Sequence, residues 1–144
     1  MPYYGLGSKA LIMKNVHDVM ELISGLSGKV DYQRDYAAAS IGPEKYPGAF
    51  INDVVEVKEQ ILADVFRNTL TIGIVGWLRV AANDNLWAKQ DALSLSILTA
   101  LMVDGTRGNQ AYDTTPTRCN TDMGTRFPVG VFTIALDIVY YGRT

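Results

Sequence analysis

One cysteine and one histidine are all that this 144-residue chain holds of two side chains that commonly bind metals or act as nucleophile and base. Cys119 alone cannot close an intrachain disulfide, so folding is expected in a reducing compartment such as a bacterial cytoplasm. His17 alone cannot complete HExxH, and neither CxxC nor an EF-hand loop occurs, so metal spacing is missing. Net charge is −2, from 13 basic and 15 acidic residues, which provides no long-range pull on nucleic acid. No apolar run reaches the roughly 18 residues of a membrane-spanning helix. The opening MPYYGLGSKALIM lacks the charged-then-apolar layout of a signal peptide. No repeat or low-complexity tract is found.

Apolar residues are plentiful by contrast. They make up 48% of the chain against 19% charged, which argues against general disorder. The length suits a single domain over residues 1–144, and a domain near this size buries roughly 70% of its unfolded surface.

The closing stretch FPVGVFTIALDIVYYGRT has period two. Phe132, Ile134, Leu136, Ile138 and Tyr140 point one way; Val131, Thr133, Ala135, Asp137, Val139 and Tyr141 point the other. This predicts a long strand that is apolar on nearly both sides. TLTIGIVGWLRVA predicts another, with Leu70, Ile72, Ile74, Leu78 and Val80 on one face. Gly73 and Gly76 suggest a bend there, or a close approach by a neighbour. Between them NLWAKQDALSLSILTALMV predicts the strongest helix, with Leu86, Leu93, Ile97, Ala100 and Leu101 as its core stripe. Trp87 reads as a core candidate on that helix. KNVHDVMELISGL predicts a first helix over 14–26, capped by Asn15 and stopped by Gly28.

KVDYQRDY and AFINDVVEV read as strands, the second with a bulge near Asn52 and Asp53. KEQILADVFRN reads as a hairpin turn with strand extensions. Residues 1–12, which include GLGSKA, read as a flexible arm, because the phosphate-loop pattern GxxxxGK[ST] is incomplete. Residues 105–127 read as a long loop or an edge hairpin, where Pro116 suits an edge. The order α, β, β, β, α, β, β then implies an α+β fold: a mostly antiparallel sheet of four to five strands with two helices packed on one face.

Two helices cover one side of a sheet. The other side would show Val75, Trp77, Val131, Ala135, Val139 and Tyr141, which are apolar for a face left in water. A patch of this kind points to a partner subunit; a sheet curled to bury both faces is the alternative. Candidate interface residues are therefore Trp77, Val75, Val139, Tyr140 and Tyr141, joined by Arg107, Tyr112, Arg118 and Arg126 from the polar segment. On this reading Trp77→Ala or Tyr141→Asp weakens assembly more than folding.

No catalytic constellation is legible. His17 sits on the first helix beside Asp18 and reads as a surface histidine. Cys119 reads as an inert loop thiol. No catalytic residue, metal ligand or cofactor site is assigned. Arg107, Arg118 and Arg126 near Tyr112 could grip a phosphate backbone, but Asp104, Asp113 and Asp122 nearly cancel them.

The ordered layout resembles phage tail terminator, or tail-completion, proteins. The resemblance runs over about residues 12 to 143 and rests on VHDVMELISGL, YPGAFIND, LTIGIVGWLRV joined by a short polar turn to LWAKQDALSLSILTALMVD, and the closing GVFTIALDIVYYGR. It implies a structural protein and not an enzyme. Such proteins form a hexameric ring on the tail tube, stop its polymerisation and present a surface to the head-tail connector. The implied partners are further copies of the chain, the major tail tube protein, connector or neck proteins and, in contractile tails, the sheath. Genome DNA would pass through the ring without sequence-specific binding, and no membrane is involved. The implied place is the virion tail or neck, assembled in the host cytoplasm. The alternatives are another neck component (a head-completion or connector adaptor protein), a small hydrolase or nuclease, which has no clustered acids to support it, and a DNA-binding module, which the net charge disfavours.

Overall fold

Seven elements follow one another along the chain: α1 (Lys9–Glu21), β1 (Val30–Tyr32), β2 (Gly48–Leu62), β3 (Val65–Arg79), α2 (Leu86–Met102), β4 (Asp113–Thr121) and β5 (Val129–Gly142). They come from a computed structural model that describes residues 6–32, 47–81, 84–121 and 128–143. The α+β expectation holds. The strands form one sheet in the order β1-β2-β3-β5-β4. β1 runs parallel to β2, and every other neighbouring pair is antiparallel.

Strand alternation sorts the core. β3 and β5 pair without interruption from Phe66↔Gly142 to Arg79↔Val129. Leu70, Ile72, Ile74 and Leu78 therefore share a face with Phe132, Ile134, Leu136, Ile138 and Tyr140, and all are buried. α1 lays Ile12, Val16 and Met20 toward this core, and α2 lays Leu86, Ile97 and Leu101. Leu93 and Ala100, expected in the stripe of α2, are only half-buried. Gln90 takes a core position, where its amide nitrogen donates to the Val131 carbonyl at 3.3 Å.

Glycine makes room for one contact in this layer. Gly76 pairs directly with Phe132. A Cβ at Gly76 would fall inside the Phe132 ring, which is 1% exposed and has nowhere to move. The close approach read from the sequence is thus an aromatic ring lying over a bare backbone.

The hairpin read in KEQILADVFRN is the β2–β3 turn, with Leu62 paired to Val65. Register shifts fall between Asp53 and Val55 and between Gln60 and Leu62, the first close to the expected bulge. Asn85 caps α2, its side chain accepting from the Ala88 N–H.

Two boundaries differ from expectation. The first helix begins at Lys9, with Ser8 as its cap, and ends at Glu21. Asn15 is inside it. The stripe Ile12, Val16, Met20 explains the shift, because KALIM supplies a buried turn before the expected start. After it, Gly25 and Gly28 have φ of 91° and 72° and carry the chain through turns toward β1. Residues 6–12 are consequently not a free arm. Leu6 bridges to Tyr141, and the Gly7 N–H donates to the Tyr141 carbonyl at 2.7 Å. The segment expected as a loop or edge hairpin holds β4, an edge strand on β5 with Pro116 in it and a register shift between Pro116 and Arg118. Proline is tolerated at a sheet edge, where its missing N–H breaks no inner ladder.

Gly76→Ala is expected to destabilise the chain by about 1–3 kcal/mol, the usual cost of overpacking a filled core. Urea unfolding should show a lower midpoint with an unchanged slope.

Candidate subunit interface

The face turned from the helices is set by the same register. Trp77 stands between Gly48 and Val131, Val75 between Phe50 and Thr133, and Thr69 between Val57 and Val139. Tyr141 follows opposite Arg67. Trp77, Val75, Val139 and Tyr141 do share a face, as period two requires, but that face is not open along its length. Trp77 is 2% exposed, with its ring centroid 5.7 Å from that of the buried Phe50. It belongs to the folded chain's interior and is not an exposed anchor for a partner. Val75, Val131, Ala135, Val139 and Tyr141 are half-buried. The one charge among them, Asp137, accepts a 2.7 Å hydrogen bond from the Thr71 hydroxyl directly across the ladder. That pairing satisfies a carboxylate on a half-covered surface.

Tyr140 lies on the helix face and is also buried. Its hydroxyl donates to Glu56 Oε2 at 2.6 Å, while Lys58 Nζ lies 2.8 Å from Glu56 Oε1. Burial pushes the phenol well above its ordinary pKa, and the bond to Glu56 adds to this. Burial alone would also raise the Glu56 carboxyl. Hydrogen bonds from Lys58 and Tyr140 outweigh it and hold the group below its ordinary value. Tyr140 thus locks β5 to β2 from inside. Tyr141 meets Tyr112 edge to face at 6.3 Å, and the Tyr112 N–H donates to the Val139 carbonyl at 2.7 Å. These two half-buried rings, with the half-buried Val75 and Val139 and the exposed Arg118, are the described part of the expected interface that stays accessible.

The arginines separate. Arg118 is exposed on the edge strand. Arg126 lies outside the described residues. Arg107 is 1% exposed, and its Nη2 donates to the carbonyls of Leu101 and Asp104, closing the C-terminus of α2. Burial lowers its pKa, against the pull of the Asp104 carboxylate. Asp104 organises the turn: its oxygens accept from the Thr106 N–H at 2.9 Å, the Thr106 hydroxyl at 2.5 Å and the Gly108 N–H at 3.1 Å. Arg107, Gly108 and Asn109 follow in the left-handed region, with φ of 50°, 68° and 65°. The sequence reading of Arg107 as a surface loop residue is corrected accordingly.

The open apolar surface lies elsewhere. Trp87, expected as core, is 70% exposed. Leu95 and Met102 on α2 are exposed too, as are Leu22 and Val103 just past the ends of α1 and α2. At about 100° per residue these α2 positions form a second apolar flank beside the core stripe. That flank could have been counted from NLWAKQDALSLSILTALMV. On the sheet, Val55, Val57, Ile61 and Leu62 of the β2–β3 hairpin are exposed. A groove of about 320 Å³ runs between the helices, lined among others by Val19, Leu22, Ile23, Ala100, Val103 and Arg107.

His17 bridges α1 and β1. Its ring stacks on Tyr32 at 5.4 Å, and Nε2 donates to the Val30 carbonyl at 3.0 Å. Cys119 is exposed and free. Among the described residues, no group of three or more His, Cys, Asp or Glu is placed to hold a metal ion, and no helix is long and apolar enough to cross a membrane.

Trp77→Ala is expected to lower folding stability by about 3–5 kcal/mol, as removal of a buried indole does, measurable by urea unfolding of the dilute chain. Glu56→Gln tests the buried bond through pH. The folded chain holds this carboxyl below its ordinary value of 4.5, so its stabilising effect is full above 4.5 and is lost as pH falls through the depressed value. Wild type should melt higher than Glu56→Gln at neutral pH, and the difference should close in acid.

The chain matches no protein-family model and no curated protein sequence.

Proposed function

We propose that this chain is a structural subunit of a tailed bacteriophage virion that forms a ring on the end of the tail tube, terminates tube growth and offers the surface for head-tail joining. The observation that carries the reading is the surplus of apolar surface on α2. Leu86, Ile97 and Leu101 already serve the core, yet Trp87, Leu95 and Met102 remain exposed on the adjoining flank. A helix apolar on more than one side is built to be covered on more than one side. The β2–β3 hairpin carries a second, separate exposed set in Val55, Val57, Ile61 and Leu62. Two different surfaces on one subunit suit head-to-tail contacts, which form rings where the rotation between neighbours closes.

The order of elements that resembles tail terminators supplies the biological setting. In that setting the partners are further copies of the chain, as a hexamer, together with the tube protein, connector or neck proteins and, in a contractile tail, the sheath. Genome DNA passes through the ring. No cofactor or catalytic step enters this reading.

Electron microscopy of the purified chain mixed with growing tail tubes from the same phage tests it. The expected result is a ring on one tube end and arrested growth. Tubes that keep growing uncapped would sink the terminator reading, and binding to the portal-side complex in the same preparation would point to a neck adaptor instead.

A further inference from the structure

The groove between α1 and α2 has apolar walls and an arginine at its lining whose charge is only partly answered. Its walls include Val19, Leu22, Ile23, Ala100 and Val103, and Leu22 and Val103 are 86% and 85% exposed. Arg107 lines the same groove, beside Asn15 and Asp104. One nitrogen of its guanidinium holds the end of α2, but Nε and Nη1 are buried without a hydrogen-bond partner among the described residues. The neighbouring acid, Asp104, directs its oxygens to Thr106 and Gly108. A buried cation with donors left over favours an incoming anion.

The same chain displays such an anion among apolar side chains. Phe66 pairs with Gly142, the last residue of β5, so Ile61–Val65 extend beyond the centre of the sheet. Val57, Ile61 and Leu62 are exposed there. Glu59 is exposed as well and shares the sheet face of Val57, since Val57 pairs with Thr69 and Glu59 with Arg67. No ion pair engages the Glu59 carboxylate among the described residues.

We propose that the hairpin end of one copy docks in the α1–α2 groove of the next, with Val57, Ile61 and Leu62 on the apolar walls and Glu59 facing Arg107. This rests on the ring reading, keeps its hairpin surface and pairs it with the α1–α2 groove, a surface separate from the Trp87, Leu95 and Met102 flank. A second copy is the occupant because the chain itself carries both halves of the match: an apolar groove with an underused cation, and an apolar tip with an acid that no ion pair engages among the described residues. Hairpin and groove are different surfaces, so the contact is head-to-tail and leaves neither set open once a ring closes. The charge pair sets the register of the contact.

Sedimentation and native mass spectrometry of wild type, Leu62→Asp and Val103→Asp test the pairing. All three side-chain sites involved, Leu62, Val103 and Glu59, are exposed, so melting temperatures should match wild type. Wild type should associate with rising concentration, and each Asp variant should lose every species above monomer. An equimolar mixture of the two should give a one-to-one dimer that grows no further, because Leu62→Asp keeps its groove and Val103→Asp keeps its hairpin. Glu59→Gln should weaken association by roughly tenfold or more. A wild-type chain that stays monomeric at every concentration, variants that assemble like wild type, or a mixture that stays monomeric would each overturn the pairing. Assembly that persists in the variants would leave the ring itself standing, and tube capping is read separately by microscopy.

Discussion

The unbroken ladder between β3 and β5 is the constraint on which the rest of this molecule depends. Its register runs from Phe66↔Gly142 to Arg79↔Val129 with no shift. A slip of one residue would turn Leu70, Ile72 and Ile74 away from Leu136 and Ile134 and expose the whole apolar set. The irregularities sit in the outer ladders instead, two between β2 and β3 and one between β4 and β5. The centre is therefore rigid in register, and the flanks take the bulges and bends. The helices need only one surface to pack on, and Gly76 lets Phe132 fill the middle of it.

That arrangement separates two kinds of aromatic residue. Trp77 and Phe50 close one end of the far sheet face from within. Tyr140 crosses to Glu56 on the helix side and binds β5 to β2 by a hydrogen bond that burial strengthens. Trp87 stands apart on the outer flank of α2, where it contributes nothing to the core. A chain whose core is closed by other residues leaves this large indole in solvent. Exposed tryptophan of this kind is enriched at the energetic centres of interfaces.

Much of the architecture was legible from period alone. The order of elements along the chain, the hairpin in KEQILADVFRN and the edge strand with Pro116 all follow from local chemistry. The first helix starts earlier than the 14–26 stripe predicts because its cap, Ser8, sits in GLGSKA, a run whose glycines read as loop, although Ile12 already continues the stripe of Val16 and Met20. The two tryptophans were exchanged for a different reason. Alternation puts Trp77 on the far face but cannot say whether that face is covered, and Leu86 and Trp87 are neighbours that a helix points about 100° apart. Arg107 was illegible as a buried residue because its role depends on the carbonyls of Leu101 and Asp104 and on a left-handed turn, none of which leaves a mark in composition.

The edge of the sheet at β4 bears on how such a subunit would associate. Pro116 offers no N–H, the register shifts between Pro116 and Arg118, and Arg118 adds an exposed charge. These are the devices by which a sheet edge resists pairing with another chain. Association through extension of the sheet at β4 is thereby disfavoured, since each device removes a hydrogen bond or adds a charge along the line a new strand would take. The apolar surface that remains is on the helix layer and at the end of the β2–β3 hairpin, where contacts are made by side chains of fixed shape and not by a repeating backbone. Backbone pairing repeats without limit, whereas matched side-chain surfaces fix an angle between neighbours, and a fixed angle is what allows an assembly to close.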